Sequence, residues 1–169
     1  FIFDGTGAPR VRGDIGITEG HVSAIGRVDS KNAKKVIDAA GMHVAPGFVD
    51  LHTHYDAQIF WDPYCTLSGW HGITSVAIGN CGFGFAPVDP DMREYAMKSM
   101  TRVEAIPYDS MAQGMPWDWT TFPEYLDSLE RTPKAMNILP YVPIGPMLIQ
   151  ILGLADAKAG RIPTVEEHE

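Results

Sequence analysis

The chain has 169 residues, a formal net charge of −8 and 45% hydrophobic residues, the profile of a globular chain of about one domain. Its acidic balance argues against nucleic acid or an anionic membrane surface as a partner. Its two cysteines, Cys65 and Cys81, make no disulfide framework, so a reducing, cytoplasmic setting is expected.

Residues 1–45 read as short strands separated by turns. The opening Phe1-Ile2-Phe3-Asp4-Gly5 has no charged n-region of a signal peptide. Asp4-Gly5-Thr6-Gly7-Ala8-Pro9 is a turn cluster. Asp14 to Thr18 alternates, Glu19-Gly20 is a hairpin turn, and His21 to Ile25 is the returning strand. Val36 to Asp38 and Met42 to Ala45 are expected to add two more strands. The segment has too few apolar residues for a core of its own. His21 and His43 fit surface or strand polar positions.

Pro46-Gly47 breaks that pattern, and Phe48 to His54 reads as a strand. Val49 and Leu51 alternate with Asp50, His52 and His54, so the polar three share one face. Two imidazoles at i and i+2 can converge on one metal ion, or they can be ordinary hydrogen-bonded strand residues. A loop with Trp61, Pro63, Trp70 and His71 leads to a second strand, Thr74 to Ile78, which ends in Gly79-Asn80-Cys81-Gly82-Phe83-Gly84. Asp89 as N-cap and Pro90 at the first position predict a helix with Met92, Tyr95, Ala96, Met100 and Val103 on its apolar face. After a loop over Pro107 to Trp119, Thr121-Phe122-Pro123-Glu124 is a capping box, followed by the stripe Phe122, Tyr125, Leu126 and Leu129.

Met136 to Pro143 is a third strand, apolar enough to be buried on both faces, with an end or bulge at Pro140. Met147 to Leu154 is a short helix closed at Gly153. Asn137, Pro140, Pro143, Pro146 and Gln150 argue against reading 136–155 as a membrane span. Thr164-Val165-Glu166-Glu167 has capping-box spacing. A helix opening so near residue 169 predicts a chain that is a piece of a longer one, truncated at both ends. His168-Glu169 supplies only two letters of a zinc H-E-x-x-H motif and carries no weight.

Strand–helix alternation from residue 46 predicts an α/β fold with a parallel sheet, part of a (β/α)8 barrel. The rival open doubly wound sheet would place a phosphate-binding G-x-G-x-x-G after the first strand, where His52-Thr53-His54 stands instead. In a parallel barrel, sites lie at the carboxyl ends of strands. His52 and His54 close the first strand and Cys81 closes the second. Neighbouring strands lie about 4.8 Å apart, so both ends can reach one ion. Two imidazoles and a thiolate suit zinc. Cys81 also fits a buried small hydrophobe or a nucleophile paired with a histidine. Cys65 reads as structural. His71 falls at the opposite end of the strands from the site, and the Trp and Tyr residues read as core before pocket lining.

The run Val36-Ile37-Asp38-Ala39-Ala40-Gly41 through Pro46-Gly47-Phe48-Val49-Asp50-Leu51-His52-Thr53-His54 resembles the start of the barrel in the amidohydrolase superfamily. His52 to Gln58, Trp61-Asp62-Pro63 and Gly79 to Val88 resemble the N-acyl-D-amino-acid deacylases (D-aminoacylases) within it, as do Asp4 to Gly7 and Gly13 to Ile17. The resemblance implies a (β/α)8 barrel flanked by a small β-sandwich, with residues 1–45 as sandwich strands and 46–169 as the first part of the barrel. It implies His52, His54 and Cys81 as ligands of one or two zinc ions, with the catalytic aspartate and further histidines beyond residue 169. It implies deacylation of a small N-acyl-D-amino acid. A cyclic-amide hydrolase of the hydantoinase or dihydroorotase type, or a non-catalytic scaffold on the same fold, are the alternatives. One stretch departs from the family pattern: Tyr141-Val142-Pro143-Ile144-Gly145-Pro146 stands where a Gly-His-Ser/Thr-type segment is usual.

Overall fold

The computed structural model describes residues 1–168. Glu169, half of the His-Glu pair noted above, lies outside them. The chain divides into two compact units, Phe1–Gly47 and a second beginning at Phe48.

The first unit is built on one antiparallel hairpin, β1 (Asp14–Thr18) and β2 (His21–Gly26). Glu19 and Gly20 both take positive φ at its turn, as a two-residue hairpin loop requires. The strands expected at Val36 to Asp38 and Met42 to Ala45 do not form. Among the described residues Met42 to Ala45 makes one isolated bridge, Val44 to Ile2, and Val36 to Asp38 makes none. Val36 and Ile37 are exposed, so they have no packed face to hold them extended. His21 and His43 are exposed; His43 packs its ring edge-on against Phe3.

The second unit is a three-stranded parallel sheet in the order β3 (Phe48–Asp50), β4 (Ile73–Ile78), β5 (Asn137–Pro140). Being parallel, all three strands end on the same side. β3 is shorter than expected, because His52 to His54 leave the ladder. Thr53 still donates its N–H to Ala77 O at 3.1 Å, which keeps the segment beside β4. β5 stops at Pro140, as its missing N–H predicts. Val76, Ala77 and Ile78 are fully buried, whereas Phe48 and Leu51 are about two-thirds exposed, at 64% and 65%.

The β3–β4 crossover carries the short helix α1 (Thr66–Trp70); the β4–β5 crossover carries α2 (Arg93–Glu104), α3 (Tyr108–Gly114) and α4 (Phe122–Arg131). After β5 come α5 (Ile144–Leu152), α6 (Leu154–Ala159) and α7 (Val165–His168). The α4 capping box forms in both directions: Thr121 Oγ1 accepts from Glu124 N, and Glu124 Oε2 accepts from Thr121 N. Thr164 and Glu167 form the same reciprocal pair. Asp89 does not cap its helix. A turn of 3-10 helix, Pro90–Met92, intervenes, and the Asp89 carboxylate accepts instead from Gln150 Nε2 at 3.3 Å. α3 was not expected, since Pro107 to Trp119 reads as loop by composition. Met111 and Met115 are buried, so packing rather than propensity makes it.

The core lies under the long crossover. Trp119 is its centre: fully buried, stacked on Phe60 with centroids 5.3 Å apart, its indole N–H donating to Phe85 O at 2.7 Å. Ile59, Met100, Met111, Tyr125 and Leu129 close around it. Cys65 is buried in the same cluster, as a structural residue would be. No helix among the described residues is long and apolar enough to cross a membrane.

Candidate metal centre

The carboxyl ends of β3 and β4 bring three predicted residues together. Ligand atoms of His52, His54 and Cys81 all lie within 4.8 Å of one another. The two imidazoles stand edge to face with centroids 5.4 Å apart. His52 Nε2 is 3.2 Å from Cys81 Sγ. Ligands of a tetrahedral zinc, with bonds near 2.0–2.3 Å, stand about 3.5 Å apart, so the donors are close to the spacing an ion needs. Two further observations fit an ion. His54 Nδ1 is buried and has no hydrogen-bond partner, a state that buried polar atoms rarely hold unless something outside the protein satisfies them. Cys81 is exposed rather than packed in the core, which removes its reading as a buried small hydrophobe.

Local chemistry explains the arrangement. Asp50 Oδ1 accepts from His52 N at 3.0 Å, and this turn takes His52 out of the ladder. On the other arm, Gly79 and Gly82 both sit at φ +78, with Cys81 between them at φ 57. Glycine is needed there for space as well as conformation. A Cβ on Gly79 would stand 2.3 Å from Tyr141 O, and one on Gly84 2.7 Å from Pro143 Cγ. A Cβ on Gly145 would stand 2.7 Å from Gly82 O. The Cys81 turn therefore lies backbone against backbone on Tyr141 to Gly145. That segment, which departs from the family pattern, is the bed on which the thiol arm rests.

Two residues given no role from the sequence belong to this site. Asp56 is almost wholly buried. Its Oδ1 accepts from Gly79 N at 2.8 Å, its backbone oxygen accepts from the Tyr125 hydroxyl at 3.0 Å, and its Oδ2 has no partner. Burial pushes its carboxyl up to about 7; backbone N–H groups of Asp56 and Gly79 oppose the shift and the Glu104 charge adds to it. Glu104, at the end of α2, places Oε1 3.6 Å from His54 Nε2. It is well placed to orient a ligating imidazole, as carboxylates commonly do. Asp56 lies two residues after His54 and was legible as a neighbour. Glu104 is remote in sequence and carries no local signal. His71 caps the far end of α1 and is exposed, away from the cluster.

A family profile described as "Amidohydrolase family" matches residues 35–140. Over 156 residues the chain is 34% identical to an uncharacterised protein of Mycobacterium tuberculosis (strain H37Rv), covering 90% of this chain and 25% of that protein. It is 33% identical to the N-acyl-D-aspartate deacylase of Alcaligenes xylosoxydans xylosoxydans over 141 residues, 83% of this chain and 26% of the relative. The chain thus spans about a quarter of the length of these curated relatives. Among solved structures it matches the N-acyl-D-glutamate deacylase of Bordetella bronchiseptica, complexed with zinc and a phosphonate mimic of the tetrahedral intermediate. There the TM-score is 0.74 and the identity 29%, over 98% of this chain and 32% of that one.

Proposed function

The chain belongs to the amidohydrolase family, in the group of the N-acyl-D-amino-acid deacylases, and on that footing we propose that the whole protein is a metal-dependent hydrolase of linear amides. Its substrate is a small N-acyl-D-amino acid, released as a D-amino acid and a carboxylate in the cytoplasm. Residues 1–45 contribute strands to a small β-sandwich, and residues 46–169 form the first part of a (β/α)8 barrel. His52, His54 and Cys81 hold one or two zinc ions.

What supports the reading is one observation: two imidazoles and a thiol from two separate segments have donor atoms within 4.8 Å of one another, past the carboxyl ends of adjacent parallel strands. When bound, a divalent ion supplies Lewis acidity, bringing the pKa of a water near 7 and polarising the scissile carbonyl. The chain's own residues do the rest of the local work. Asp50 turns His52 toward the site, Glu104 orients His54, and Asp56 holds the start of the Cys81 turn. The carboxylate that passes a proton to the leaving amine is assigned to no residue of this chain.

The test is metal analysis of the full-length protein, with assays on N-acetyl-D-amino acids, their L-enantiomers and hydantoins. Bound zinc and turnover of the D-amides are expected, with both falling steeply in His54→Ala. A protein that binds no divalent metal at neutral pH, or whose hydrolysis survives His54→Ala, overturns the proposal. Turnover of hydantoins alone moves it to the cyclic-amide hydrolases.

A further inference from the structure

The two arms of the centre, the His52–His54 segment and the Cys81 turn, are joined by one side chain. Asn80 Nδ2 donates to Thr53 O at 3.1 Å and to Ala77 O at 3.0 Å. Thr53 is the residue between the two histidines, so the carbonyl that Asn80 holds belongs to the peptide leading into His54. Ala77 O is shared further. It also accepts Thr53 N at 3.1 Å and Thr53 Oγ1 at 2.6 Å. Three donors from the two arms thus meet on one backbone oxygen of β4, and Asn80 precedes Cys81 directly.

The chemistry of this link is specific. Both N–H bonds of one amide point at carbonyl oxygens, so the position needs a neutral double donor of this length. An aspartate would turn a carboxylate toward two carbonyls, and an alanine would leave Thr53 O without its donor. The turn it holds is not one that keeps itself. Cys81 takes a left-handed φ of 57, which a side chain other than glycine adopts only when its surroundings fix it. Gly79 and Gly82 on either side bring no side chain of their own to hold it.

We propose that Asn80 is the positioning residue that sets the Cys81 thiol against the two imidazoles, by tying the turn that carries it to the peptide between His52 and His54. The inference rests on the metal-site reading above. Its role is to fix the separation of the donors before an ion arrives, so that binding need not order the thiol arm. Supporting residues of this kind typically change metal affinity about ten- to a hundredfold when removed.

The experiment uses the full-length protein stripped of metal and titrated with Co(II) alone. A thiolate bonded to Co(II) gives a charge-transfer absorption in the near ultraviolet, which reads the Cys81–metal bond directly and needs no turnover. The wild type is expected to show the band and Cys81→Ser to lose it. Asn80→Ala is expected to raise the Co(II) Kd about ten- to a hundredfold and to weaken the band, with circular dichroism unchanged. If Asn80→Ala does not fold, Asn80→Ser, neutral and too short to reach both carbonyls, is read the same way. Asn80→Ala or Asn80→Ser that melts lower, yet binds Co(II) within twofold of wild type with the full band, is merely a weakened loop, and the proposal falls. A wild type without the band overturns the metal-site reading and the role of Asn80 with it. A wild type with the band and an unchanged variant overturns the role of Asn80 alone.

Discussion

Gly79→Ala tests whether the Cys81 turn is held by backbone contact or by conformation alone. Gly79 has φ +78, and an added Cβ would stand 2.3 Å from Tyr141 O. The left-handed conformation costs an L-residue about 1–2 kcal/mol. The oxygen belongs to the backbone and cannot rotate away, so the turn or the end of β5 must shift, at about 1–3 kcal/mol by analogy with overpacked cores. The total is about 2–5 kcal/mol. Two other glycines separate the terms. Gly160 has φ +71 and nothing within 4 Å of a Cβ, so Gly160→Ala carries the conformational cost only. Gly82 has φ +78 and would meet Ile144 Cγ2 at 2.7 Å, a side-chain methyl of a half-exposed residue rather than a backbone oxygen. Thermal melts of the three variants in the full-length protein should rank Gly79→Ala lowest, Gly82→Ala between and Gly160→Ala nearest wild type. Gly79→Ala melting no lower than Gly160→Ala would refute the contact argument.

Cys81 is exposed, while Cys65 is buried with its thiol pushed up to about 11 by burial and then by the Asp62 charge. A brief alkylation of the metal-free protein at pH 8, followed by peptide mapping, should mark Cys81 and spare Cys65; equal labelling contradicts the assigned burial. Tyr125→Phe removes a buried donor 3.0 Å from Asp56 O and should cost about 1–3 kcal/mol, the range for leaving a buried acceptor unpaired. A melting temperature equal to wild type would mean that water replaces the hydroxyl. The Glu167 carboxyl is held down at about 2, first by the Arg161 side chain and then by Thr164 N–H. A depressed carboxyl stabilises the fold fully above its ordinary value of 4.5, and that contribution fades as pH falls from there through about 2. Glu167→Gln should therefore flatten the acid limb of stability against pH, and an unaltered limb counts against the pair.

Most of what places the site was legible in the sequence for local reasons. The His52–His54 spacing, the glycines around Cys81 and the Thr121–Glu124 box are patterns within a few residues, and local rules govern them. β5 was expected from an apolar run to be buried on both faces, yet it spans only Asn137–Pro140 and Leu139 is 46% exposed, so the run marked the strand but not its burial. The failures have a common cause. Val36 to Asp38 and Met42 to Ala45 have strand-forming residues but no packed face, and β propensity without packing decides little. Asp89 has the side chain of an N-cap, yet a long-range bond to Gln150 takes its carboxylate. α3 forms because Met111 and Met115 are buried in one cluster with Ile59, Phe85 and Leu129, residues too distant along the chain for a local window to hold. Glu104 meets His54 only because the fold brings the last residue of α2 to the segment after β3, and Asp56 becomes unusual only through burial.

The two connections between the strands differ in length: residues 51–72 join β3 to β4, and residues 79–136, more than twice as many, join β4 to β5. Each doubling of a flexible connection adds only about 0.6 kcal/mol to the cost of closing it. The longer one also carries most of the apolar core that holds it down. Every suggested ligand lies within three residues of its end or in the short connection, between His52 and Cys81. Length is therefore cheap to change only in the exposed turns of this connection, because Met100, Met111 and Trp119 belong to the core and Glu104 stands beside His54. Insertions among related chains should accordingly collect in those turns, while the first residues of the connection, Gly79 to Gly84, keep their length because their backbone packs on Tyr141 to Gly145.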